Sequence, residues 1–255
     1  MKQTLASLIV LASLAIMPFH AASAAGKAVE PPEQNWSFKG ITGTYDRAEL
    51  QRGFKVYKEV CSACHGMKLL SYRHLVDIGF SEDEVKAIAA QYTVMDGPND
   101  DGEMFERPAR PADRFKSPYA NDKAARAANN GALPPDMSLI VKARSDGADY
   151  IFALLTGYKE APADVVVPEG MYWNEYYPGH LIAMAPPIMA DQVTYDDRTI
   201  PTLEQQARDV TAFLKWASEP HMEARKQMGV KVILFLIVFA GLLYAAKRKI
   251  WADVH

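Results

Sequence analysis

Cysteine is almost missing from this chain: Cys61 and Cys64 are the only two in 255 residues. No third or fourth thiolate exists for a cysteine-held cluster or zinc site, and no pair is spare for a structural disulfide. Arginine is absent before Arg47, which argues against an Arg-rich mitochondrial transit peptide. Basic excess is lacking too. The 28 Lys plus Arg stand against 31 Asp plus Glu, a net charge of −3, and this balance argues against a nucleic-acid partner. Strand signals are few, and Val165-Val166-Val167 is too short to found a sheet. Neither an internal repeat nor a low-complexity linker divides the chain. What remains is a mainly α protein whose two thiols must serve one purpose.

That purpose is written in Cys61-Ser62-Ala63-Cys64-His65. Two thiols three positions apart, followed at once by histidine, is the spacing at which c-type haem is attached. The sulfurs bond to the haem vinyl groups and the adjoining imidazole becomes the proximal iron ligand. A redox dithiol would leave the histidine unexplained. A tetrahedral zinc site would need a fourth ligand, usually from a second paired motif.

The ends of the chain set the expected compartment. Lys2, an apolar run over residues 5–19 and Ala22-Ser23-Ala24 read as an export signal at 1–24. Pro18 and His20 interrupt the run before it could span a bilayer, so a first membrane helix fits less well. The mature chain is expected to begin near Ala25, in a bacterial periplasm. At the other end, residues 228–246 carry one charge, Lys231. These nineteen residues, at ~1.5 Å each, nearly match a hydrocarbon core of ~30 Å. Lys247-Arg248-Lys249 follows and marks the cytoplasmic side. A buried core helix would not end in such a block. The expected organisation is a haem domain over 25–224, a single inner-membrane span over 228–246 and a cytoplasmic tail over 247–255.

Within 25–224 the charge is more negative than in the whole chain: 21 Lys plus Arg face 30 Asp plus Glu. Nine acids and one base, Lys86, fall between 77 and 106. A solvated face explains such a stretch, and so does a surface that steers a basic partner. Asp46 with Glu49 is placed to start a helix that continues through Leu50, Phe54 and Tyr57. Gly53 in its middle costs ~1 kcal/mol against alanine, which a close helix crossing would explain. Thr202 with Gln205 repeats the capping pattern, and Ala207, Val210, Leu214 and Ala217 follow as one apolar stripe. The two helices are expected to cross at Gly53 and close a pocket. Short helices are expected over 121–128 and 148–155, the latter ended by Gly157. Eleven of the 16 prolines lie between 98 and 187, so the connections there are long and irregular.

A haem held by His65 needs a sixth ligand if it is to carry electrons. Methionine raises the potential and a second histidine generally lowers it. Met184 is favoured because Ala185-Pro186-Pro187 stiffens the chain behind it. Met95, Met104, Met137, Met171 and Met189 remain open, as does His180. An open sixth position would instead make a membrane-anchored gas sensor or haem enzyme.

The chain resembles the cytochrome c1 family of the bacterial cytochrome bc1 complex (ubiquinol–cytochrome c oxidoreductase). The likeness rests on the haem motif and on Ser71-Tyr72-Arg73-His74-Leu75. It extends through Ala128-Asn129-Asn130-Gly131-Ala132-Leu133-Pro134-Pro135-Asp136 to Pro178-Gly179-His180, Met184-Ala185-Pro186-Pro187 and Phe213-Leu214-Lys215-Trp216. The resemblance implies a class I cytochrome c-like haem domain with long loop insertions, plus one C-terminal transmembrane helix. It implies one haem c on Cys61 and Cys64, His65 and Met184 as axial ligands, and a pocket of Asn129, Pro135, Arg144, Tyr150, Leu154 and Tyr177. Arg144 would meet a propionate. The implied partners are a cytochrome b subunit, the Rieske iron–sulfur subunit as donor and a soluble or membrane-tethered c-type cytochrome as acceptor, in a two-fold complex. The implied role is electron transfer within the complex, not catalysis by this chain alone.

Overall fold

The computed structural model describes residues 29–254, so the expected export signal lies outside the described residues. Helix α1 (Arg47–Glu59) begins where its cap places it. The Asp46 carboxylate accepts from the N–H groups of Ala48 and Glu49 at 2.9 and 3.2 Å, satisfying donors that a helix start leaves orphaned. A 3-10 turn, Cys61–Ala63, follows directly, then a 3-10 stretch, Tyr72–Ile78. Helix α2 (Glu82–Ala90) is closed by a reciprocal Ser81–Glu84 capping box. Strands β1 (Thr93–Asp96) and β2 (Phe105–Pro108) form an antiparallel ribbon with Thr93 opposite Pro108. Helices α3 (Asp122–Ala128) and α4 (Gly147–Thr156) match the two expected short helices. A second ribbon pairs β3 (Tyr172–Trp173) with β4 (Leu181–Ile182). Helix α5 (Leu203–Ser218) and the long helix α6 (Met222–Ile250) complete the fold, with a 3-10 turn at Ala252–Val254.

The core forms where α1 meets α5. Leu50, Phe54, Val56 and Tyr57 pack against Ala207, Val210, Phe213 and Trp216, all buried. Gly53 is the reason the two backbones approach so closely. A β-carbon there would lie 2.0 Å from the Asp209 carbonyl oxygen and 2.7 Å from Phe213 Cβ. Because the obstacle is backbone, it cannot swing aside. Gly53→Ala is therefore expected to cost about 2 kcal/mol, overpacking outweighing the gain in helix propensity. The thermal midpoint, followed by circular dichroism, should fall by about 4–8 °C.

A polar lock secures the same crossing. Asp209 is fully buried and accepts from Arg52 Nε and Nη2 at 3.0 and 3.1 Å, while Arg52 Nη1 donates to Asp197 at 2.8 Å. Gln205 Nε2 donates to Asp209 at 3.0 Å. The expected capping box of α5 is thus only half made: Thr202 accepts from the Gln205 N–H, but the Gln205 side chain serves Asp209 instead. A buried carboxylate gains more from another donor than does the helix start, where water can substitute.

The apolar run 228–246 lies inside α6, which extends beyond it at both ends. Its first turns belong to the domain. Met222 is buried, Glu223 pairs with Arg47 at 2.7 Å, and Lys226 Nζ donates to the Phe38 and Gly43 carbonyls at 2.8 and 2.9 Å. Beyond them the side chains are exposed, and the helix is long and apolar enough to cross a membrane.

Candidate haem site

α1 delivers the thiols. The Cys61 carbonyl accepts from the N–H groups of Cys64 and His65 at 3.1 and 2.9 Å, so both cysteines and the histidine sit in one tight turn. Burial, with the neighbouring Cys64 adding to it, pushes the Cys61 thiol up to about 12. A catalytic dithiol would use a lowered thiol pKa and would leave His65 without a role. Among the described residues no three His, Cys, Asp or Glu side chains converge to hold a metal ion.

His65 is buried, and its Nδ1 lies 2.8 Å from the Pro135 carbonyl oxygen. A carbonyl only accepts, so Nδ1 carries the hydrogen and Nε2 keeps its lone pair. Metal-ligating histidines are oriented through the second nitrogen in this way. Burial holds the imidazole below its ordinary pKa, partly opposed by the Pro135 bond, and the neutral ring is the form that ligates. The Tyr57 hydroxyl donates to the His65 carbonyl at 3.2 Å, and the Met137 N–H to the Gly66 carbonyl at 2.8 Å. Residues 65–66 and 135–137 are stitched together by these bonds. Asn129 Nδ2 donates to the Tyr119 hydroxyl at 3.1 Å, and Tyr119 lines a cleft of about 150 Å³ beside Cys64. Cys61, Cys64, His65 and Pro135 are thus tied together, and Asn129 reaches the cleft beside Cys64 through Tyr119.

A second cluster carries the other candidates. Arg144 is exposed and lies beside the buried Tyr150, whose phenol is raised by burial and lowered by that guanidinium. Tyr177 lies close to Tyr150. Leu154 packs against the core, and its carbonyl accepts from Asn174 Nδ2 at 2.8 Å. Met184 is half-buried and its carbonyl accepts from the Tyr158 hydroxyl at 3.0 Å. Among its rivals, Met95, Met104 and Met189 are exposed. Met137 is tied to Gly66, on the imidazole's own side. Met171 is half-buried, its N–H bonded to the Pro168 carbonyl. His180 stacks flat on Trp173 at 4.6 Å, with Nδ1 3.2 Å from the Asn174 carbonyl oxygen.

Asn174 is the residue that sequence reasoning missed. It is fully buried, and its Oδ1 accepts from the N–H groups of Tyr176 and Tyr177 at 3.0 and 3.2 Å. It ties Leu154 and Tyr177 to one side chain. No motif or periodicity marks it.

The paired thiols and the imidazole prepared through Nδ1 make covalent haem the chemistry that uses all three motif residues. This defines a c-type cytochrome. A family model described as the Cytochrome C1 family matches residues 36–254. The chain belongs to the cytochrome c1 family, the electron-transferring haem subunits of the cytochrome bc1 complex, whose members carry covalently bound haem c. It is 51% identical over 238 residues to a cytochrome c1 of Rhodospirillum rubrum, covering 87% of this chain and 88% of that one. It is 50% identical over 222 residues to a mitochondrial cytochrome c1 haem protein of Arabidopsis thaliana, covering 87% of this chain and 72% of that one. A protein of Bradyrhizobium diazoefficiens named cytochrome b/c1 is 51% identical over 248 residues. There the match covers 89% of this chain but only 36% of the relative's length. An open-faced gas sensor or haem enzyme is not favoured by this membership.

Proposed function

We propose that this chain relays one electron from the Rieske iron–sulfur subunit to a soluble or membrane-tethered c-type cytochrome, through a haem c that Cys61 and Cys64 would hold covalently and that His65 and Met184 would ligate. The observation that carries this is the His65 Nδ1 bond to the Pro135 carbonyl within a haem-attachment motif. When bound, haem supplies a one-electron ferric–ferrous couple. The residues of this chain do the rest. His65 presents Nε2; Asn129, Pro135, Tyr150, Leu154 and Tyr177 exclude water; Arg144 offers its guanidinium to a propionate. No bond need be made or broken by the chain itself. A cytochrome b partner agrees with the relative named cytochrome b/c1 and with a Candida albicans relative named cytochrome b-c1 complex catalytic subunit. α6 would cross the inner membrane with Lys247-Arg248-Lys249 on the cytoplasmic side, the haem domain in the periplasm and the complex as a two-fold dimer. Purifying the complex from membranes through this chain tests the proposal. One covalent haem by mass and a co-purifying b-type haem subunit are expected. A chain weighing no more than its amino acids would end it.

The acceptor is proposed to dock on the acidic segment 77–106. Glu84 is committed to the capping box with Ser81, and Asp96 is paired with Arg107. Asp100, Asp101, Glu103 and Glu106 are exposed on the β1–β2 ribbon beside Met104 and Phe105. Charge there steers encounter more than it tightens binding. Combined Asp100→Lys, Asp101→Lys and Glu103→Lys is expected to slow reduction of a basic c-type cytochrome at low salt by about 10-fold or more. The dependence on ionic strength should flatten as well. Stopped-flow rates that stay unchanged across salt would exclude this face.

A further inference from the structure

Residues 183–187 cross a gap between two fixed points. On one side β4 is paired to β3. On the other, Ile188 is buried and the Met189 carbonyl accepts from Gln206 Nε2 at 2.7 Å. Pro186 and Pro187 have no N–H to give. Among the described hydrogen bonds, one alone reaches residues 183–187: the Tyr158 hydroxyl donates to the Met184 carbonyl at 3.0 Å. Its donor is firmly mounted. The Glu175 N–H donates to the Gly157 carbonyl at 2.9 Å, and Tyr158 bridges to Asn174, whose side chain is held by bonds to Leu154, Tyr176 and Tyr177. Close packing also fixes the preceding residue, since a β-carbon on Gly157 would fall 2.6 Å from the Tyr176 ring.

We propose that Tyr158 is a positioning residue for the axial methionine, its hydroxyl fastening the Met184 backbone at mid-span while Asn174 holds Tyr158 in place. The inference rests on the reading of Met184 as sixth ligand. A thioether is a neutral, weak ligand on a side chain with three soft torsions, so where the backbone stands decides how often sulfur is on the iron. Two prolines make the segment stiff between its anchored ends, but stiffness alone does not set where the middle of the span stands. The Tyr158 hydroxyl supplies a fixed point at the Met184 carbonyl.

The test compares Tyr158→Phe and Met184→Leu in the purified complex, each reading taken per covalent haem. Tyr158→Phe is expected to keep its haem but weaken the far-red charge-transfer band of methionine-ligated ferric haem. Carbon monoxide uptake by the reduced haem should rise about 2- to 12-fold, the population shift that loss of one neutral hydrogen bond allows. Met184→Leu should abolish the band. If it does, while Tyr158→Phe keeps the wild-type band and uptake, the positioning role is overturned and the ligand stands. If Met184→Leu retains the band, the ligand reading fails and takes the inference with it. A Tyr158→Phe complex with less haem, but an unaltered band and uptake in what remains, would make the hydroxyl merely structural and overturn the proposal too.

Discussion

His65→Ala is expected to yield chain without stable holoprotein. The substitution removes the imidazole proposed as proximal ligand; its Nδ1 is committed to the Pro135 carbonyl, so only Nε2 is free to ligate. It also strands that carbonyl against a methyl group, which costs about 1–3 kcal/mol where water cannot replace the donor. Residues 65–66 would then keep the Tyr57 and Met137 bonds but lose the side chain that draws 135 inward. Thioether attachment alone would leave the iron with no fixed axis. On a gel of membranes, haem staining should drop to background while an immunoblot still detects the chain. Normal staining in that variant would contradict the assignment of His65 as the iron's proximal ligand.

What could be read in advance follows from how local each signal is. The start of α1 and the stripe of α5 depend on residues a turn or two apart, and the close crossing was marked by a lone glycine in mid-helix; all three are present in the fold. The Arg52–Asp209 lock was not legible, because it joins side chains 157 positions apart that no periodicity relates. Nor were the ribbons: β3 and β4 have two residues each, too few to show an alternating pattern, and they exist because neighbouring segments complete them. Hydropathy found the apolar stretch of α6 but not its root, since Glu223 and Lys226 hold the domain through polar bonds. At the site the division is the same. The thiols and His65 form a contiguous motif and could be named at once. Pro135 came only through family resemblance, and Asn174 and the Tyr158 fastening not at all, because the bonds to His65, Leu154 and Met184 that give them their places span 70, 20 and 26 positions.

Met184→Leu should leave a folded, haem-bearing subunit that no longer carries electrons through the complex. Leucine has nearly the methionine volume, and Met184 is only half-buried, so packing loses little. The Tyr158 hydroxyl would still reach the residue 184 carbonyl, because that bond involves backbone rather than the replaced side chain. What disappears is the sulfur, and with it the stabilisation that a thioether gives the ferrous over the ferric state. Axial ligation spans roughly 0.8 V across haem proteins, so a fall on the order of 0.1 V is a modest expectation. At about 59 mV per decade for one electron, that fall shifts the equilibrium with the iron–sulfur donor roughly 50-fold toward the donor. Optical redox titration of the purified complex measures the midpoint, and flash or stopped-flow reduction by quinol measures the block. A midpoint equal to that of the wild type would rule Met184 out as the ligand. His180 would then have to leave its stack on Trp173 to serve, and a potential lower than methionine ligation gives would be its mark.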